Sequence, residues 1–337
     1  MRTMSPDNMN RVLGVAGCLM LLALAVFSSL LLGHIAVSVD ALFNSLFDYQ
    51  PGNLEHLVVR SERVARTLIA VAVGAGLAVA GVLMQTLTRN PLASPGIFGI
   101  NAGALFFVVV GASLLSLTAP TELIWLAFTG AAVAAALVYL LGRDPGQGLS
   151  PVRTVLAGVA ITALFVSFSQ GLLILNQDRF ESILFWLAGS VSGRSLDTVA
   201  PLLPLAAAGI AVTFALTRQL NVLGLDDDVT RGLGLNAGRV RLIAGLVVIV
   251  LAGTSVAIAG LIGFVGLIVP HIARRLFGTD HRWLLPAAAI IGATLLVAAD
   301  TLARLVIPPQ EIPVGVMTAL MGTPLFLHLA RKTGRTT

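Results

Sequence analysis

Nine runs without a single Asp, Glu, Lys or Arg occupy residues 12–33, 67–88, 90–121, 123–142, 154–177, 198–217, 242–270, 283–299 and 312–327. A helix needs about 20 apolar residues to cross a bilayer, so runs of this length and number commit the chain to a membrane. The apolar residues are continuous and do not alternate with period two, which excludes a β-barrel. Only 11% of residues are charged and 57% are hydrophobic, against about 25% charged in a soluble domain. Disorder is excluded too, since it needs low hydrophobicity and dense charge. The spans use up the length, so residues 1–337 are expected to form a single all-α transmembrane domain.

The first run exceeds the roughly 7 to 15 residues of a signal-peptide core and reads as an uncleaved helix. Cys18, the only cysteine, sits inside it as packing or lipid-facing filler, and no intramolecular disulfide can form. The long run 242–270, continuing to about Leu276, carries a potential break at Ala259-Gly260. Charge decides how to count it, because Lys and Arg favour the cytoplasmic side. Ten spans with the N-terminus inside put 15 of the 21 cations inside and six outside, whereas nine spans give 10 against 11. Ten helices with both termini cytoplasmic are therefore predicted. Except for Lys332 the cations are arginines set singly between apolar runs, which makes them topology signals and argues against a nucleic-acid partner.

Ionisable groups are costly at membrane depth and persist there for function, yet these runs hold almost none. Asp300 stands four residues before Arg304, a spacing that puts both on one helix face and favours an ion pair over a proton relay. His328 is expected at the inner interface. Neither a HExxH metal motif nor a GxSxG nucleophile elbow occurs. The phosphate-cradling GxxxxGK[ST] loop is also missing, so the chain cannot hydrolyse ATP by that route. No catalytic and no metal-binding residue is predicted. What remains is a passive pore or the membrane part of a pump powered by another polypeptide.

The inner loop after the sixth span, residues 221–238, encloses a segment too short to cross. Asp226 to Asp228 could cap a short helix lying along the membrane, or form a solvated acidic turn. The loop Thr88 to Gly96 is tight and proline-bearing, and Arg274 to Arg282 is basic.

These loops carry a resemblance. The stretch Gln85-Thr-Leu-Thr-Arg-Asn-Pro-Leu-Ala-Ser-Pro-Gly-Ile-Phe-Gly-Ile-Asn-Ala-Gly-Ala104 resembles the signature of the bacterial iron-chelate and cobalamin uptake permeases. So do Arg63-Val-Ala-Arg66-Thr, Gly260-Leu-Ile-Gly-Phe-Val-Gly-Leu-Ile-Val-Pro-His-Ile-Ala-Arg274, Asp280-His-Arg282, Ala299-Asp-Thr-Leu-Ala-Arg304 and Glu311-Ile-Pro-Val-Gly315. The likeness runs from about residue 60 to residue 332, with the motifs in order.

The resemblance implies a membrane subunit of a binding-protein-dependent ABC importer in the bacterial cytoplasmic (inner) membrane. It implies a second permease subunit, identical or related, and two cytoplasmic ATPases that bind ATP and Mg, with no cofactor on this chain. A periplasmic or lipid-anchored substrate-binding protein would dock on outer arginines, which match Arg63, Arg66 and Arg304, with Arg60 an additional candidate. Such paired cationic patches would orient a two-lobed acidic partner. The ATPase-coupling element matches Leu223 to Leu235, so Gly224, Leu225, Asp226, Arg231 and Gly234 are expected at that contact, with bends at the two glycines. The inner gate falls at Asn90, Leu92 and Ser150.

Spans almost bare of fixed charge suit a bulky chelate better than a naked metal ion, which would need ordered ligands to replace its water. A ferric siderophore is the expected cargo, with haem or cobalamin as alternatives within the family. A self-sufficient channel or secondary carrier is the rival from another class, and it predicts transport by this chain alone.

Overall fold

The computed structural model describes residues 6–144, 148–149, 151–175, 187–224, 232, 236–308 and 310–333. Helix dominates. The chain runs through α1 (Pro6–Leu31), a short α2 (Val39–Phe47), α3 (Leu54–Thr88), α4 (Ile100–Ser113), α5 (Pro120–Gly142), α6 (Pro151–Leu175), α7 (Leu203–Ala215), α8 (Thr217–Leu223), α9 (Ala237–Ala259), α10 (Val265–Phe277), α11 (His281–Leu305) and α12 (Val314–Thr333). A two-residue antiparallel pairing, Arg143–Asp144 with Gly148–Leu149, closes the turn between α5 and α6. At least six helices are long and apolar enough to cross a membrane, and α7 with α8 would add a seventh as one span bent by 62°. The chain is a multi-pass membrane protein.

Helix α3 is the axis of the bundle: 78% of its apolar window is buried, against 6% for α1, which lies at the rim. Small residues make that axis possible. A Cβ on Gly74 would strike the backbone carbonyl of Gly292 in α11, and one on Gly81 would strike Gly266 in α10. The same close approach joins α4 to α5 through Gly103 and Gly130. Without a hydrophobic drive between helices in lipid, such backbone proximity is what lets dispersion hold them.

Two apolar runs are less helical than their length suggests. In the run 90–121 α-helix is confined to Ile100–Ser113 and the first two residues of α5, because Pro91, Pro95, Gly96 and Gly99 break what precedes α4 into turns and one 3-10 turn, with Gly99 at φ 67°. In the run 198–217, Pro201 and Pro204 delay α7 until Leu203, in keeping with proline at a helix start. The break expected at Ala259-Gly260 is present. Helix α9 ends at Ala259, Gly260 turns at φ 71°, and Phe264 sits at φ 66° immediately before α10. Irregular backbone at membrane depth survives only where protein covers it. Here Ser190 N donates to Ala259 O at 2.8 Å and Gly315 N to Gly189 O at 3.1 Å. Gly315 itself packs on the carbonyls of Ala188 and Leu261.

Candidate functional site: a buried charge cluster and a polar tie at opposite ends of the bundle

At the end of the bundle away from the N-terminus, the first α-helical turn of α3, Leu54–Val58, is followed by a π-helical turn, Val59–Arg63, that carries Arg60 and Arg63. Such turns insert an extra residue and re-aim the helix beyond them. Arg63 points at the end of α1, where its Nη1 donates to the carbonyls of Leu30 and Leu31, both at 2.7 Å, and its Nη2 to that of Ile35. Terminal carbonyls of a helix have no partners within the helix and carry its negative dipole end, so the guanidinium serves as a C-terminal cap.

Arg66, one turn further, faces α11. Its Nε lies 2.9 Å from both carboxylate oxygens of Asp300 and its Nη2 2.8 Å from Oδ1, while Nη1 reaches Glu311 at 2.8 and 3.0 Å and Ser192 Oγ at 3.2 Å. Asp300 also meets Arg304 Nη2 at 3.3 Å. Arg304 donates in turn to Ser29 Oγ at 2.8 Å and to the carbonyls of Ser29 and Leu32 at 3.2 Å. The four groups Arg63, Arg66, Asp300 and Arg304 are all under 5% exposed. His34 Nε2 closes the rim against Glu311 at 3.3 Å. Burial would raise the Glu311 carboxyl, but the charge and hydrogen bonds of Arg66, with help from Ser192 and His34, outweigh it and hold the group below its ordinary value.

The Asp300–Arg304 pair predicted from spacing is therefore present, but Asp300 makes its closer contacts with Arg66, 234 positions away. The three arginines expected to meet a docking partner have their guanidinium groups turned inward on α1, Asp300 and Glu311. The exposed cation of the group is Arg60, stacked 4.7 Å from the Tyr49 ring centroid.

The opposite end holds a second polar tie. Asp280 caps α11 by accepting from Arg282 N at 3.0 Å, and it also accepts from Asn221 Nδ2 at 2.7 Å. Asn221 Oδ1 accepts from His281 N at 2.8 Å and lies 2.7 Å from His281 Nδ1. The other ring nitrogen is 2.9 Å from Thr86 Oγ1 near the end of α3. Burial pushes the Asp280 carboxyl up, yet the Arg282 amide, Asn221 and the charges of Arg282 and Arg11 bring it below its ordinary value. One asparagine on α8 thus fastens α11 and, through His281, α3. Arg89, in the left-handed region at φ 49°, adds a donor 3.5 Å from Leu223 O at the end of α8.

The expected gate and coupling residues are described only in part. Asn90 and Leu92 are exposed in one turn, where Asn90 Oδ1 accepts from Leu92 N at 2.9 Å. Gly224 ends α8. Ser150, Leu225, Asp226, Arg231 and Gly234 lie outside the described residues. Among the described residues no group of three or more His, Cys, Asp or Glu could hold a metal ion. Sequence reading missed Asn221, His281 and Thr86 as a unit. The one available signal was Asp280 standing as a capping residue three positions before the charge-free run 283–299.

The FecCD transport family matches this chain over residues 21–332. The "Probable siderophore transport system permease protein YfiZ" of Bacillus subtilis (strain 168) is 48% identical over 94% of this chain and 95% of its own length. The "Fe(3+)-citrate import system permease protein YfmD" of the same organism is 47% identical over 83% of each chain. Among solved structures, a metal-chelate type ABC transporter in an inward-facing conformation superimposes with a TM-score of 0.84. It is 30% identical and the match covers 94% of this chain and 98% of that one.

Proposed function

The chain belongs to the FecCD transport family, and from that premise we propose that it is the permease subunit of an ABC importer carrying a ferric siderophore or related iron chelate across the bacterial inner membrane. The observation that carries the reading is the 48% identity to a siderophore permease across almost the whole of both chains. Its role is transport without catalysis of its own. ATP and Mg bind to two separate cytoplasmic ATPases, and a second permease subunit completes the path.

Ten crossings with both termini cytoplasmic fit this reading. Six long helices, the bent pair α7–α8, and the shorter α4, α10 and α12 add up to that number, and the arginine distribution favours the same topology. Residues 224–234 receive the ATPase stroke, and the Asn221 tie at their edge passes it to α3 and α11. Asn90, Leu92 and Ser150 form the inner constriction. A ligand or partner shifts such an equilibrium only by its differential affinity for the two states, so ATP closure of the motor supplies the bias. The binding protein docks over the outer ends of α3 and α11. There Arg60 offers exposed charge, and Arg63, Arg66 and Arg304 hold the platform in shape.

The test is uptake of labelled iron by cells lacking this chain, supplied in turn with ferric citrate, a catecholate chelate, a hydroxamate chelate and haem, with labelled cobalamin alongside. Loss of one chelate's uptake, restored by the wild type and not by a deletion of residues 224–234 that still inserts, supports the reading. Transport in vesicles holding this chain alone, without ATP or a binding protein, would refute it.

A further inference from the structure

Helix α2 has three distinct faces. Ala41, Leu42 and Ser45 are buried, and the first two pack with Val37 and Val59 against Leu30 and Leu31 at the end of α1. Asp40 and Asn44, four apart on a second face, are exposed and polar, and the exposed Asp48 follows as the residue that ends the helix. Val39, Phe43, Leu46 and Phe47 form the third face, and all four are exposed, Phe47 to 86%. At 100° per residue the three sets centre roughly a third of a turn apart.

A helix so divided matches the one place where protein, water and hydrocarbon meet. We infer that α2 is an interfacial helix whose Val39, Phe43, Leu46 and Phe47 face sits in the acyl-chain boundary of the leaflet opposite the N-terminus. Its partner is lipid, because the patch continues a surface already given to lipid. Helix α1, only 6% of whose apolar window is buried, ends eight residues earlier, and Phe27, Leu32 and Ile35 carry the exposed apolar surface toward α2. The amphipathic pattern is that of helices lying in the plane of the interface. The helix is also held at a fixed height. Ser38 caps it by accepting from Ala41 N at 3.1 Å, and Glu55 at the start of α3 accepts from Ser38 N at 3.0 Å and Oγ at 3.2 Å. The consequence is an anchor that ties the outer end of α3, with its arginine-bearing π turn, to the depth of the membrane surface. The inference rests on the chain spanning a bilayer and is independent of which chelate it carries.

Single cysteines at Phe43→Cys, Phe47→Cys, Asp40→Cys and Asn44→Cys, in a Cys18→Ser chain within the assembled complex in lipid nanodiscs, carry nitroxide labels for collision with oxygen and a nickel chelate. Positions 43 and 47 are expected to favour oxygen several-fold over positions 40 and 44, which should favour nickel. Wild-type complex in nanodiscs containing a phospholipid with an acyl-chain diazirine provides a second measurement, with adducts expected on Phe43 and Phe47. Equal nickel access at 43 and 44 would overturn the inference by placing the face in water. Exclusion of both reagents at 43 and 47, with no lipid adducts, would overturn it by placing a protein surface there.

Discussion

Removing Asp300 takes away the carboxylate shared by Arg66 and Arg304 while leaving both cations in place. Asp300 is 1% exposed and receives Arg66 at 2.8 to 2.9 Å through two nitrogens and Arg304 at 3.3 Å. Breaking one side of a buried pair costs about 3–5 kcal/mol because the surviving charge is left uncompensated. Two features bear on where Asp300→Ala falls in that range. Arg66 keeps Glu311 at 2.8 Å, which limits its loss. Among the described residues, Arg304 keeps hydroxyls and carbonyls as its hydrogen-bond partners, with Glu311 and Glu62 acting on it only through space. The first feature lowers the cost and the second raises it, so the expected cost stays within about 3–5 kcal/mol. The assay is denaturant unfolding in mixed micelles, monitored by far-ultraviolet dichroism, on wild type, Asp300→Ala, Arg66→Ala and the double variant. A coupling of about 1–3 kcal/mol between positions 66 and 300 is expected. Asp300→Asn keeps the shape and removes only the charge, so it separates electrostatics from packing. A loss under about 1 kcal/mol, the worth of an exposed pair, would refute a buried, unscreened cluster.

Gly74→Leu should cost at least about 1–3 kcal/mol or prevent assembly, since the added side chain meets the Gly292 backbone, which cannot yield as a side chain can; detergent-extracted yield and melting temperature report it. Glu311 should make the Arg66–Asp300 end of the bundle sensitive to acid. Its folded value lies below the ordinary 4.5, so its contribution is complete above that pH and is lost as pH falls through the lower folded value; the wild-type melting temperature should fall in that window more than that of Glu311→Gln. Asn221→Ala removes the one side chain that bonds both Asp280 and His281, and should lower transport per ATP hydrolysed more than it lowers assembly. Measuring uptake and ATPase turnover on the same reconstituted complex checks this, and an unchanged ratio would count against the tie.

The buried charge cluster shows why part of this was readable and part was not. Asp300 and Arg304 are four residues apart on one helix, so their pairing came from helical period alone. Arg66 is 234 positions from Asp300, and no local rule links them. The same holds for Asn221, whose partners Asp280 and His281 are about 60 positions away. The inward turn of Arg63 depends on where α1 ends, since its acceptors are the carbonyls of Leu30, Leu31 and Ile35. Role assignments by motif fixed the neighbourhood of these arginines without fixing which way they point.

What the sequence determined by itself was the solvent: charge-free runs of helical length leave each backbone amide to be satisfied within its own helix, and that holds residue by residue without knowledge of neighbours. The breaks at Pro91 to Gly99 and at Gly260 are equally local, because proline lacks a donor and glycine tolerates positive φ. The tertiary structure alone decided which helices touch and which charges meet. Contacts such as Gly74 on Gly292 and Arg66 on Asp300 exist only after the bundle closes. Their energy is a property of two distant segments brought into one buried volume, where an unpaired charge is too costly to leave.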